Sequence, residues 1–140
     1  MINLNNLNRQ HERIIEEVKY LDKEIKKGSL SMNTSEIAIH INKLAGQLKI
    51  HLIEEDKFLY PNLLKCQDDE IRKLANQYIE EMGDLVNTYT KFKNDYNVSS
   101  KIINNTDMFL KEIQRIIKAL KDRITKEDNE LYYLIQLKKI

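Results

Sequence analysis

Helix-breaking residues are scarce in this chain, with one proline and three glycines among 140 residues. Together with the abundance of Leu, Ile, Lys and Glu, that scarcity points to helix throughout. The single cysteine, Cys66, excludes an internal disulfide, and a reducing cytoplasm is the expected setting. No apolar run nears the roughly 18 residues that would span a bilayer. The opening "MINLNNLNRQ" lacks the charged-then-apolar plan of a signal peptide. Charge of one sign is missing too. The formal net charge is +1 and like charges form only short lysine runs, so neither nucleic acid nor an anionic membrane is an expected partner. There is no Cys-x-x-Cys, no phosphate-binding glycine loop and no Glu-x-x-His. No serine or cysteine triad announces itself either, and an enzyme is the less expected of the readings left open.

What is present is periodic. Apolar positions recur at steps of three and four, the spacing of a core-facing helix stripe. The first stripe reads Leu7, His11, Ile14, Val18, Leu21, Ile25 and stops at Gly28-Ser29. "MNTSE" supplies an N-cap at Asn33, Thr34 or Ser35, with Glu36 in the first turn. The second stripe is Ile37, Ile41, Leu44, Leu48, His51, Glu55, Phe58, with an end expected near Pro61. Asp68 and Asp69 open the third, which runs Ala75, Tyr78, Met82, Leu85, Tyr89, Phe92, Tyr96. Turn and capping residues in "NVSSKIINNTD" precede the fourth: Phe109, Ile113, Ile116, Leu120, Arg123, Glu127. Four long helices with short connections predict an all-α fold, an antiparallel up-down four-helix bundle forming one domain over residues 1–140.

The pattern repeats. Shifted by 72 residues, "LKIHLIEEDKFLY" lies over "LKDRITKEDNELY", so that Glu55 meets Glu127, Tyr60 meets Tyr132 and His51 meets Arg123. The first and third stripes superpose at a shift of 71, setting His11 against Met82. Five core positions break the apolar rule: His11, His51, Glu55, Arg123 and Glu127. His11 lies about 17 residues before the first turn and His51 about 17 after the second helix begins, or roughly 25 Å along the axis. Counted the same way, the other odd residues fall at a similar height, and one polar layer is predicted. Two imidazoles and two carboxylates in one layer suit a divalent first-row metal such as iron, manganese or zinc.

"RQHERI" on a first helix followed by "HLIEEDKFLYP" on a second resembles the hemerythrin-like HHE cation-binding family. The resemblance covers almost the whole chain. It implies a four-helix bundle whose doubled motif holds a non-haem di-iron centre, with His11, His51, Glu55 and Glu127 matching metal ligands. Two positions depart from the pattern, since Met82 and Arg123 stand where the family has its third- and fourth-helix histidines. Methionine is a weak ligand for iron and a guanidinium has no lone pair to offer. The expectation is therefore a reduced site with one iron ion. Arg123 is expected to act as a fixed cation where a second metal would stand, neutralising Glu127 or Glu55. Relatives of this kind bind oxygen, sense oxygen or nitric oxide, or help restore damaged iron centres, so such a small ligand is the implied partner.

A different class of reading removes the metal altogether. Glu55, Glu127, Arg123 and a protonated histidine would form a closed salt-bridge network inside an interaction module, although such networks seldom add net stability. Other polar residues are set aside on geometry. His40 lies about 16 Å along the axis from His51 and is expected to be structural. Glu54 points away from Glu55 and is expected to be solvated. Glu81 sits off the stripe beside Met82, a minor candidate for a replacement ligand. Tyr60, Tyr132 and Tyr133 are expected to close one end of the bundle by packing, and Cys66 to be partly exposed.

Overall fold

The computed structural model describes residues 1–140, and all of its regular structure is helical. Helix α1 spans Asn5–Ile25 and α2 spans Thr34–Glu54, which runs without a break into a π-helical turn, π1, over Glu55–Leu59, and then α3, Tyr60–Lys65. Helix α4 covers Asp69–Tyr96, a short α5 covers Ser99–Ile103, and α6 covers Thr106–Lys126. A second π turn, π2, over Glu127–Tyr132 leads into α7, Tyr133–Leu137. The long helices pack in a closed ring, α1 on α2, α2 on α4, α4 on α6 and α6 back on α1. That ring is the predicted four-helix bundle, with α5 as an addition in the last connection.

The termini obey local chemistry. Gly28 ends the first helical stretch with φ of +87°, a conformation a Cβ would oppose. Asn33 caps α2 by accepting from the Glu36 N–H, and Asp68 caps α4 by accepting from the Ile71 N–H. Pro61 does not end its helix as expected. The preceding π turn interrupts the α-helical ladder, so the proline falls in the first turn of α3, where its missing N–H costs nothing. The same wide turn moves Phe58, expected in the core, out to 60% exposure, while Leu59 and Tyr60 take its place inside. Tyr133 is likewise exposed rather than packed.

Two apolar clusters fill the bundle. The larger holds Ile14, Val18, Leu21, Ile41, Leu44, Leu48, Tyr89, Phe92, Phe109 and their neighbours. The smaller holds Leu4, Leu7, Leu59, Tyr60, Ile71, Tyr78, Leu131 and Tyr132 at the other end. Along every long helix a non-aliphatic residue separates them: His11 on α1, His51 on α2, Met82 on α4, Glu127 after α6.

Candidate metal centre

His11, His51, Glu55 and Glu127 are all buried, in the gap between the two clusters. The His11 and His51 Nε2 atoms face each other at 3.0 Å. Glu127 Oε2 lies 3.4 Å from the first and 3.8 Å from the second, and Glu55 Oε1 lies 3.0 Å from His51 Nε2. The far side of each imidazole is fixed. His11 Nδ1–H donates to Asp128 Oδ1 at 2.7 Å, and His51 Nδ1–H donates to Gln10 Oε1 at 2.8 Å. Both acceptors lack a proton to give, so each ring carries its hydrogen on Nδ1 and presents Nε2 inward.

That arrangement tests whether a metal fits. Two neutral imidazoles so tautomerised point lone pairs at one another, which is repulsive unless a metal ion or a shared proton lies between them. The carboxylates leave the same deficit. Glu55 Oε1 and both oxygens of Glu127 are buried without a hydrogen-bond donor, which in a low-dielectric core is costly. Ligand atoms of His11, His51 and Glu127 lie within 4.8 Å of one another, close enough to share one ion, whereas Glu55, expected as a fourth ligand, stands outside that group with Oε1 3.0 Å from His51 Nε2. Nitrogen and oxygen donors of this kind suit a divalent first-row metal, and the ring contacts to Asp128 and Gln10 are the outer-shell bonds that metal-bound histidines make. The donor set fits.

Proton affinities record the same hunger for positive charge. Burial alone would lower the His51 imidazole, but Glu127 and Glu55 overturn it and lift the group to about 10. Burial also opposes His11 protonation, and the hydrogen bond to Asp128 and the charge of Glu127 raise it nonetheless. Burial, then the charge of Glu127, pushes Glu55 up to about 7. Burial would raise Glu127 as well, but His11 and His51 hold it well below the usual carboxylate range.

Residues 3–135 match the hemerythrin HHE cation binding domain. The chain belongs to that family. No curated protein and no solved structure matches it. No helix is long and apolar enough to cross a membrane. The site is thus a buried His–His–Glu cluster with the capacity for one metal ion in a hemerythrin-like bundle.

Within this hemerythrin-like domain the second hairpin departs from expectation at Arg123. Its guanidinium neutralises neither Glu127 nor Glu55. It pairs with Glu81, lies 4.8 Å over the Tyr78 ring, and leaves Nη1 buried and unpartnered. Glu81, weighed as a replacement ligand, is this cation's counter-ion and is held below its usual carboxyl range by it. The repeat explains why. Position 81 corresponds to Gln10 and position 123 to His51, so the Arg123–Glu81 pair occupies the place of the His51–Gln10 contact. Met82 is buried in the layer as expected.

Other side chains behave more simply. His40 is structural, bound to Glu17 at 2.5 Å and stacked on Tyr20. Glu54 is half-buried, and Cys66 is half-buried beside the start of α4. Sequence reasoning missed Asp128, Gln10 and the functional contacts of two tyrosines. Tyr60 and Tyr132 donate to Glu55 Oε2 at 3.1 and 3.4 Å. Each missed residue adjoins a recognised one or pairs with another through the repeat, which was the available clue.

Proposed function

We propose that the chain binds one iron ion through His11, His51, Glu55 and Glu127, and uses it to bind or sense a small ligand such as oxygen or nitric oxide. The observation that carries the reading is the 3.0 Å approach of two Nε2 atoms whose protons are already committed to Asp128 and Gln10. Iron is preferred because the chain belongs to the HHE family and the donors are imidazole and carboxylate, with no thiolate. Bound there, iron would supply reversible redox chemistry and open coordination positions. The protein supplies two oriented imidazoles, two carboxylates and a dry layer between apolar clusters.

The metal-free alternative loses its main support with Arg123. A closed network needs that cation beside Glu55 or Glu127, and it pairs with Glu81 instead. A protonated imidazole could serve one of the three bare carboxylate oxygens, and the others would be left without donors. The whole chain acts as one domain in this reading, in a reducing cytoplasm that keeps iron ferrous on entry.

Metal content decides it. Protein purified without chelator, or refolded with ferrous iron, should hold one iron per chain. His51→Ala and Glu127→Ala should each abolish stoichiometric uptake, and His40→Ala should leave it intact. A wild-type protein that remains metal-free after refolding with ferrous iron would return the salt-bridge reading to first place.

A further inference from the structure

The two carboxylates of the centre are related by the internal repeat, yet their surroundings differ. Tyr60 and Tyr132 are repeat partners too, one just after each glutamate, and a symmetric site would give each carboxylate one phenol. Instead both hydroxyls converge on a single oxygen, Glu55 Oε2, at 3.1 and 3.4 Å. The other oxygen of Glu55, Oε1, has no donor and faces His51 Nε2 at 3.0 Å. Glu127 has neither oxygen hydrogen-bonded, although both are buried.

From this asymmetry we infer that Tyr60 and Tyr132 are positioning residues that fix Glu55 as a one-oxygen metal ligand, leaving Glu127 as the carboxylate free to bind through one oxygen or two. The inference rests on the metal reading above and adds the division of labour. A carboxylate oxygen that accepts two phenolic protons has spent its lone-pair directions and its charge on them, so chelation by Glu55 would break both bonds. Metal binding strengthens the arrangement. Tyr132 stands 3.4 Å from His11 Nε2 as well, and once that nitrogen's lone pair is committed to a metal, Glu55 is the acceptor left. The Tyr132 ring is held for this task by stacking on His11, with centroids 5.0 Å apart and planes 9° apart. Glu127 can change its number of bound oxygens without losing a hydrogen bond. With a metal bound, it would therefore be the ligand able to yield a coordination position to a small exogenous molecule.

Cobalt(II) in place of iron provides a readout independent of any activity, because its visible absorption weakens as coordination number rises. Tyr60→Phe with Tyr132→Phe keeps both rings and frees Glu55 Oε2. The visible cobalt bands of this double variant should weaken several-fold while one cobalt per chain is retained. Glu127→Gln should strengthen the bands by removing a chelating oxygen, whereas Glu55→Gln, which keeps one ligand oxygen, should leave them near wild type. Where the double tyrosine variant fails to fold, the comparison of the two glutamine variants carries the test. A chain that takes up no cobalt overturns both the metal reading and this inference. Stoichiometric cobalt with a spectrum unmoved by the tyrosine changes, or identical spectra for the two glutamine variants, overturns the inference alone.

Discussion

Neither of the residues that turn the facing imidazoles belongs to a core stripe. Gln10 precedes His11 on α1 but serves His51 on α2, and Asp128 follows Glu127 but serves His11. Outer-shell partners of this kind are worth about 10- to 100-fold in metal affinity. Asp128→Ala should therefore weaken binding by about that factor without changing stoichiometry, as measured by competition against a chelator. Loss no greater than that of Asp56→Ala, its repeat partner, would deny Asp128 that role. Proton linkage gives a second test on chelator-treated protein. His51 rises from 6.5 to about 10 on folding, so its contribution is full below pH 6.5 and is lost as pH climbs through 10. Glu55 rises from 4.5 to about 7 and also holds its proton more tightly when folded, so it acts in the same direction at lower pH. Urea midpoints of the chelated protein should fall steadily from about pH 6 to about pH 10. His51→Gln should flatten that fall, and a flat wild-type profile would contradict the buried charge imbalance.

At the scale of elements, both buried glutamates of the polar layer begin a π turn, and π turns are frequent at functional sites. In such a turn residues five apart lie about one turn apart, and the Tyr60 N–H bonds the Glu55 carbonyl accordingly. An α-helix would carry residue 60 well around the cylinder from residue 55. The wide turn is thus what brings the Tyr60 hydroxyl back to the Glu55 carboxylate. Proline is not its cause, because π2 forms with Tyr133 at the place of Pro61. Deleting the exposed Asn129 should tighten π2 into α-helix, preserve far-UV helicity, and weaken metal binding about tenfold or more through Asp128 and Tyr132. Unchanged affinity would show that the π geometry is incidental. The second hairpin offers a constructive test. Met82→His with Arg123→His restores two imidazoles, and Glu81 stands ready to orient one of them as Gln10 orients His51. The double variant should take up a second metal per chain, and adding Glu81→Ala should lose it again. A folded double variant with wild-type metal content would refute this account of Arg123.

For the molecule as a whole, the polar layer divides the apolar core in two, and the halves meet across buried imidazoles and carboxylates. Metal that binds only the folded state stabilises it by about 2.7 kcal/mol at a concentration 100 times Kd. At roughly 2–4 °C per kcal/mol for a chain near this size, Tm should rise by about 5–11 °C on saturation. Calorimetry with and without ferrous iron under anaerobic conditions measures it. The shift should vanish in His51→Ala and persist in His40→Ala. A Tm indifferent to metal would place the binding outside this layer.

The sequence by itself determined the four long helices, their order and the height of the layer, because the three-four spacing, the caps at Asn33 and Asp68 and the glycine at 28 act over a few residues. It also named His11, His51, Glu55 and Glu127, since a charged or imidazole group inside an apolar stripe stands out against burial cost. The tertiary structure alone decided what those groups do to one another. Arg123 has three acidic choices, and only the packing of α4 against α6 brings Glu81 to it rather than Glu127 or Glu55. The π turns escaped the sequence because a hydrophobic stripe read at α-helical spacing has no place for an extra residue, and one such residue exposes Phe58 and buries Tyr60. Hydrogen-bond direction escaped it too. Which imidazole nitrogen carries the proton depends on an acceptor from another helix, and that acceptor is fixed only when the bundle closes.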